Sequence, residues 1–82
     1  MILTKTVRRN EFGVREFPPN ISELLVGRRV EIRDWYGEVR GTVLSVAISR
    51  TSGYPSTVEL QSESGAHVPA FSLHSTREIE VL

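Results

Sequence analysis

Apolar and polar residues alternate along the chain from Arg28 onward, and this period of two constrains the fold more than any other feature. In the segment RRVEIRD, residues 28–34, Val30 and Ile32 share one parity while Arg29, Glu31 and Arg33 take the other. Successive side chains of a β-strand point to opposite faces, so the segment is predicted to be a strand with one buried face. Comparable patterns predict five strands in all, at residues 28–34, 38–50, 58–61, 66–73 and 78–81, with a turn at 34–37.

The second of these strands is long and changes phase within its length. Its apolar residues form two sets of opposite parity, namely Val39, Gly41 and Val43 and then Leu44, Val46 and Ile48. Such a change requires a bulge, a sharp bend or burial on both faces, and Gly41 is the predicted bend. A second phase change near Pro69 predicts a sheet edge or a bulge there, because proline donates no backbone hydrogen bond.

The residues before this sheet predict an arm and a short helix. Residues 1–19 contain short extended stretches that end at Pro18 and Pro19, so they are expected to form an extended N-terminal arm or hairpin. Asn20 takes an N-cap position with Glu23 three residues later, and Gly27 marks the end of the helix. The expected fold is all-β: in residues 20–82 the short helix precedes a small five-stranded, strongly bent antiparallel barrel.

A set of glycines and apolar residues in the first half of this domain follows a family motif. The motif has the form L-x-G-x-x-V-x-I, then a turn glycine, then G-x-V, and it is matched by Leu25, Gly27, Val30, Ile32, Gly37, Gly41 and Val43. On these residues the chain resembles the Sm and Sm-like small-barrel family over Asn20 to Leu82, and its pattern is also similar to KOW, PRC and Src-homology-type barrels. The resemblance implies subunits that join edge strands into rings. The segments ISRTSGYPST and SLHSTRE stand where that family has its RNA-binding residues, and no binding residue carries over.

Composition limits the function to a few classes. Ten basic residues balance ten acidic ones, so the chain lacks the basic excess typical of a duplex-DNA-binding domain. It has no cysteine and no apolar run long enough to span a membrane, so we expect a cytoplasmic protein. The spacing of His67, His74 and Asp34 is not typical of a catalytic pair or a metal site. The expected protein is therefore a binding module and not an enzyme, with no cofactor and no bound metal.

Arginine accounts for nine of the ten basic residues, and aromatic residues accompany it at the hairpin and in the loops. Guanidinium groups bind phosphates and aromatic rings stack on bases, and together they form a single-strand binding site. The first functional expectation is binding of RNA or single-stranded nucleic acid through Arg28, Arg29, Arg33, Trp35, Arg50, Tyr54 and Arg77. In the alternative interpretation, Glu31, Asp34 and Glu38 pair with the arginines across the hairpin, and Trp35 packs on the arm.

Self-association is the second functional expectation, with the chain as a protein-interaction or assembly subunit of a homo-oligomer. The phase change near Leu44 leaves more apolar residues than one barrel face needs, and these would line a seam between subunits: Val39, Leu44, Val46, Phe71 and Leu82. Arg8 and Arg9 at the tip of the arm would reach across such a seam, or the arm would instead cover its own sheet edge in a monomer. A protein partner would be gripped by the aromatic pair at the hairpin tip, Trp35 and Tyr36.

Overall fold

Six strands and one short helix form the described part of the chain. The structure is a computed structural model that describes residues 1–5, 16–35 and 37–82. In chain order the elements are β1 (Ile2–Thr4), α1 (Ile21–Leu25), β2 (Arg29–Asp34), β3 (Glu38–Ile48), β4 (Pro55–Ser62), β5 (His67–Ser72) and β6 (Thr76–Val81). The prediction of an all-β chain with one short helix is confirmed. In the part of the chain that the structure describes, no helix is long and apolar enough to cross a membrane.

The six strands belong to one antiparallel sheet with the order β1-β6-β2-β3-β4-β5. The five strands expected after the helix are all present. The sixth strand comes from the N-terminal segment, because Ile2–Thr4 pairs with Glu78–Glu80 of β6. The start of the predicted arm therefore covers the outer edge of β6 in the same chain. The predicted arm arginines, Arg8 and Arg9, lie outside the described residues, as does Tyr36 at the hairpin tip.

A single apolar cluster forms the core of the described residues. Val30 and Ile32 take the buried parity of β2, as their alternation predicts, and Ile21 and Leu25 bring α1 onto the same cluster. Phe17 also lies in it at 1% exposure, directly before the proline pair. The buried cluster consists of Phe17, Ile21, Leu25, Val30, Ile32, Val43, Val58, Leu60, Leu73 and Ile79.

The helix lies where the sequence places it, but its predicted capping box does not form. Asn20 makes no side-chain hydrogen bond to the helix, and its backbone carbonyl accepts the bond from the Glu23 N–H at 3.1 Å. The Pro18 carbonyl accepts the N–H of Ile21 at 3.0 Å. Because these main-chain bonds form a tight turn into the helix, the first turn needs no side-chain cap. Gly27 ends the helical segment as expected, with a positive φ of 80°.

The phase change in β3 comes from a bulge at Leu44, and the predicted bend at Gly41 is wrong as its cause. The pairing of β3 with β4 shifts register between Val43 and Ser45, which leaves Leu44 without a directly opposed partner. Gly41 has a different role, because a Cβ atom there would overlap the Gln61 carbonyl and lie 2.9 Å from the Ser62 Cα. The glycine permits close contact between the backbones of β3 and β4.

The prediction for Pro69 is confirmed on both counts. The strand β5 is the last strand of the sheet, so its outer side is an edge. Its register with β4 shifts between the pair Val58–Phe71 and the pair Leu60–Val68, which places Pro69 in a bulge. A proline and a bulge together weaken this edge as a template for another strand.

Candidate nucleic-acid interface

The turn between β2 and β3 presents a tryptophan to solvent. The backbone N–H of Asp34 donates to the Gly37 carbonyl at 2.9 Å, and the Gly37 N–H donates to Asp34 Oδ1 at 2.9 Å. These two bonds close the turn that the sequence predicts. Trp35 occupies its tip with 73% of its surface exposed, which is unusual for so large an apolar side chain.

Trp35 does not stand alone, because Arg77 covers part of its ring. The pairing of Asp34 with Thr76 sets the start of β6 beside the turn. The guanidinium carbon of Arg77 then lies 4.6 Å from the centroid of the Trp35 ring, within the range of a cation–π contact. Within the described residues no carboxylate forms a salt bridge with Arg77. The pair therefore combines an exposed aromatic surface with a cation that has no anionic partner in this part of the chain.

Arg33 is in a different position, because three carboxylates surround its guanidinium. Its Nη1 lies 2.9 Å from Glu78 Oε1, and its Nη2 lies 2.5 Å from Glu80 Oε1. Glu31 also lies 3.4 Å from Arg33 and 3.4 Å from Arg40, with its own side chain only 6% exposed. Of the three carboxylates that the alternative interpretation pairs with the arginines, Glu31 is in this cluster, where it pairs with Arg33 and Arg40. Most of its carboxylates come from β6, however, rather than from within the hairpin.

The cluster makes the stability of the protein depend on pH. The hydrogen bond from Arg33 lowers the pKa of Glu80 below its ordinary value of 4.5. A carboxylate whose pKa is lowered in the folded state stabilises that state at pH values above its unfolded-state pKa. This stabilisation is lost as the pH falls through the folded-state pKa.

We expect Arg33→Met to destabilise the protein strongly at pH 7, because the three glutamates then repel one another and the buried Glu31 keeps only Arg40 as a cationic partner. The stabilisation that Arg33 gives through Glu80 is lost as the pH falls through the lowered pKa of Glu80, so the gap in urea midpoint between wild type and R33M should be smaller at pH 3 than at pH 7. Arg29→Met, which breaks the exposed pair with Glu63, is the matched control and should shift the midpoint little at either pH. A gap between wild type and R33M that is the same at both pH values would contradict the assigned role of the cluster.

The remaining predicted binding residues are spread over the surface. Arg28 and Arg50 are exposed and have no ion pair among the described residues, whereas Arg29 is exposed and pairs with Glu63. Tyr54 is half-buried in the loop between β3 and β4, where its carbonyl accepts the Ser49 N–H at 2.9 Å. These placements leave Arg28, Arg50 and Arg77 as the exposed arginines without a carboxylate partner in the described part.

Only some of these residues lie near the Trp35–Arg77 pair. The Leu73 N–H donates to the Ser56 carbonyl at 2.9 Å, which joins the turn before β6 to the end of the loop that carries Tyr54. Arg28, in contrast, precedes β2, and Trp35 follows it. Because β2 has six residues, the two lie about 20 Å apart along the strand. The structure therefore brings together Trp35 and Arg77 and leaves Arg28 at the opposite end.

The predicted intersubunit seam divides into two groups. Val39, Val46 and Phe71 are partly buried and pack against the core of their own chain. Leu44 and Leu82 are 45% and 50% exposed, so they are free to contact another molecule. The sequence did not indicate Val26 as part of this exposed group, although its side chain is 48% exposed.

A polar cluster on β3, β4 and β5 resembles catalytic side chains in composition but not in arrangement. His67 Nε2 lies 2.7 Å from Glu59 Oε2, and the Ser45 hydroxyl donates to Glu59 Oε1 at 3.1 Å. The hydrogen bond with His67, aided by that from Ser45, lowers the pKa of Glu59. In a serine hydrolase the histidine contacts the serine, whereas here both contact the carboxylate. Among the described residues, no group of three or more His, Cys, Asp or Glu side chains is arranged so that it could hold a metal ion.

The sequence analysis did not identify the glutamates that form ion pairs with Arg29 and Arg33. Glu63, Glu78 and Glu80 lie more than 25 residues from their partners along the chain, so pairing within one hairpin does not reveal them. Glu78 and Glu80 share one face of β6, and this alternation indicates ion pairs with Arg33 only when the pairing of β6 with β2 is known. Comparison with known proteins gave no matching family, no matching curated protein and no matching solved structure.

Proposed function

We propose that this protein is a non-enzymatic module that binds single-stranded nucleic acid, in the first instance RNA, at the Trp35–Arg77 pair. One observation carries the proposal. Trp35 is 73% exposed, and the guanidinium of Arg77 lies 4.6 Å from its ring centroid.

The chemistry of the pair supports binding to a single strand. An exposed ring offers a surface on which an unpaired base stacks, and this contact tolerates any base because every base has a π-face. The guanidinium beside it offers planar donors for a phosphate oxygen. Arg77 covers only part of the ring, so base stacking and phosphate contact can occur at the same time.

The charge pattern indicates which other arginines contribute. Arg50 and Arg28 have no carboxylate partner in the described chain, so they supply phosphate contacts at little cost. Arg29 would first release Glu63, and Arg33 would have to leave three carboxylates. The binding set is therefore centred on Trp35 and Arg77, with Arg50 and Tyr54 as the nearer extension and Arg28 as a distant contact.

The fold supports a compact barrel of the Sm-like type as the scaffold for this site. The bulges at Leu44 and Pro69 bend β3 and β5, and bends of this kind allow a short sheet to curl towards closure. We propose that the six strands form such a barrel, with the hairpin tip and the loop of Tyr54 outside it.

The proposal is tested by anisotropy titrations with fluorescein-labelled ten-nucleotide homopolymers of RNA and of single-stranded DNA. Arg77→Gln should weaken binding roughly tenfold, since one charged contact is worth about 1.4 kcal/mol. The slope of log affinity against log salt should also fall by about 0.7, because one phosphate contact is lost. Arg40→Gln removes another exposed arginine, which lies on β3 and pairs with Glu31, and this variant should stay within about twofold of wild type. Absence of binding to every RNA and DNA homopolymer at low salt would overturn the proposal.

Protein binding is the second candidate, and a cleft beside the hairpin favours it. This cleft of about 210 Å³ is lined by Asp34, Gly37, Glu38, Val39 and Phe71. Carboxylates at an apolar cleft repel phosphate and suit a side chain of a protein partner. Salt separates the two candidates, because an apolar protein contact changes little as salt rises whereas a phosphate contact weakens steeply.

A further inference from the structure

The N-terminal strand β1 is held by few contacts. It has three residues, and Ile2 is 56% exposed. Leu3 is the member of the strand that packs, partly buried, against the core. Beyond the strand, the Lys5 ammonium donates to the His74 carbonyl at 2.6 Å, and burial lowers the pKa of this lysine. A strand with so little buried surface opens at a small fraction of the global unfolding free energy.

Among the described strands, the edge of β6 beneath β1 is better suited to pairing with another strand than the outer side of β5. The strand β6 has six residues, and its other side already pairs with β2. When β1 opens, the outer backbone groups of β6 lose their partners, and such an edge recruits any strand that fits. The opposite edge is different, because β5 carries Pro69 within a bulge. Strand addition is therefore directed to β6.

We propose that β1 exchanges between two copies of this protein, so that β1 of each copy pairs with β6 of the other. The same three pairs, Ile2–Glu80, Leu3–Ile79 and Thr4–Glu78, form in either arrangement. The Lys5 contact with the His74 carbonyl is likewise reproduced by the second copy. Because the monomer and the exchanged dimer contain the same contacts, the equilibrium between them depends on protein concentration. The exchanged dimer therefore accumulates as the concentration rises.

The absence of cysteine from the chain allows a direct test. Met1 and Val81 exchange two backbone bonds, of 2.8 and 3.2 Å, so the next pair, Ile2 and Glu80, is a non-hydrogen-bonded pair. The Cα atoms of such a pair lie about 4.5 Å apart, within the range for a disulfide. Two single variants, Ile2→Cys and Glu80→Cys, are mixed at high concentration, incubated and then oxidised. A disulfide between positions 2 and 80 is strongly favoured when β1 of one chain lies on β6 of another, and random collision adds a background.

The control mixture pairs I2C with Arg50→Cys, an exposed position in the loop between β3 and β4 and not on the edge of β6. This mixture measures collisional disulfides. Circular dichroism and urea midpoints establish that each variant is folded before mixing. We expect the 2–80 heterodimer, identified by peptide mass mapping, to exceed the 2–50 heterodimer by about tenfold or more, and to increase with the concentration used for incubation. A 2–80 yield no higher than the 2–50 yield would overturn the exchange, whatever the outcome of the nucleic-acid titrations.

Discussion

Gly41→Ala is expected to destabilise this protein more than the same substitution at any other glycine that the structure describes. The added Cβ would overlap the Gln61 carbonyl and lie 2.9 Å from the Ser62 Cα, and both are backbone atoms of β4. Side chains can rotate away from a clash, but here β3 and β4 must separate, in the centre of the sheet. We expect the free energy of unfolding to fall by about 3 kcal/mol or more, a large part of the stability of a small domain.

Urea unfolding followed by circular dichroism measures this effect. Gly53→Ala is the comparison, because its Cβ would meet no atom within 4 Å but its φ of 74° disfavours alanine. That variant should lose only about 1 to 2 kcal/mol. If G41A retains the wild-type midpoint, the close approach of β3 and β4 at this position is wrong.

Trp35→Ala is expected to weaken binding of single-stranded RNA by about 5- to 150-fold. This range corresponds to about 1 to 3 kcal/mol, the contribution of stacking one base on an aromatic side chain. Because Trp35 is 73% exposed, its removal leaves no cavity, and the urea midpoint should hardly change. The loss would therefore report on binding and not on folding.

Trp35→Phe is the matched variant, since it keeps an aromatic face and should recover most of the affinity. Anisotropy titrations of both variants with the same labelled RNA provide the measurement. Equal affinities for wild type and W35A would remove Trp35 from the site, even if the arginines still bound RNA.

The strands of this fold are readable from sequence, but two details of the sheet are not. Alternation in residues 28–34 and 78–81 places Val30, Ile32 and Ile79 on buried faces, as the structure has them. The phase change in β3 was also visible. The sequence does not reveal the cause of this phase change, because a bulge at Leu44 and a bend at Gly41 predict the same pattern of apolar residues. The role of Gly41 depends on the approach of β4, which no local pattern reveals.

The site was readable only in part, because it depends on strands that are distant in sequence. The residue types at Trp35 and Arg77 are those of a binding surface, but their contact arises from the pairing of Asp34 with Thr76. The same pairing of β2 with β6 places Glu78 and Glu80 beside Arg33, and their ion pairs occupy the Arg33 guanidinium. Sequence predicts candidate arginines, and the register of β6 decides which remain available.

The emission of Trp35 during titration with single-stranded RNA reports directly on base stacking at the proposed site. The chain has a single tryptophan, so every change in tryptophan emission reports on this residue. We predict that emission is quenched in step with the anisotropy signal, and that rising salt reverses both. Binding of RNA with unchanged tryptophan emission would place the RNA site elsewhere on the protein and rule out stacking on Trp35.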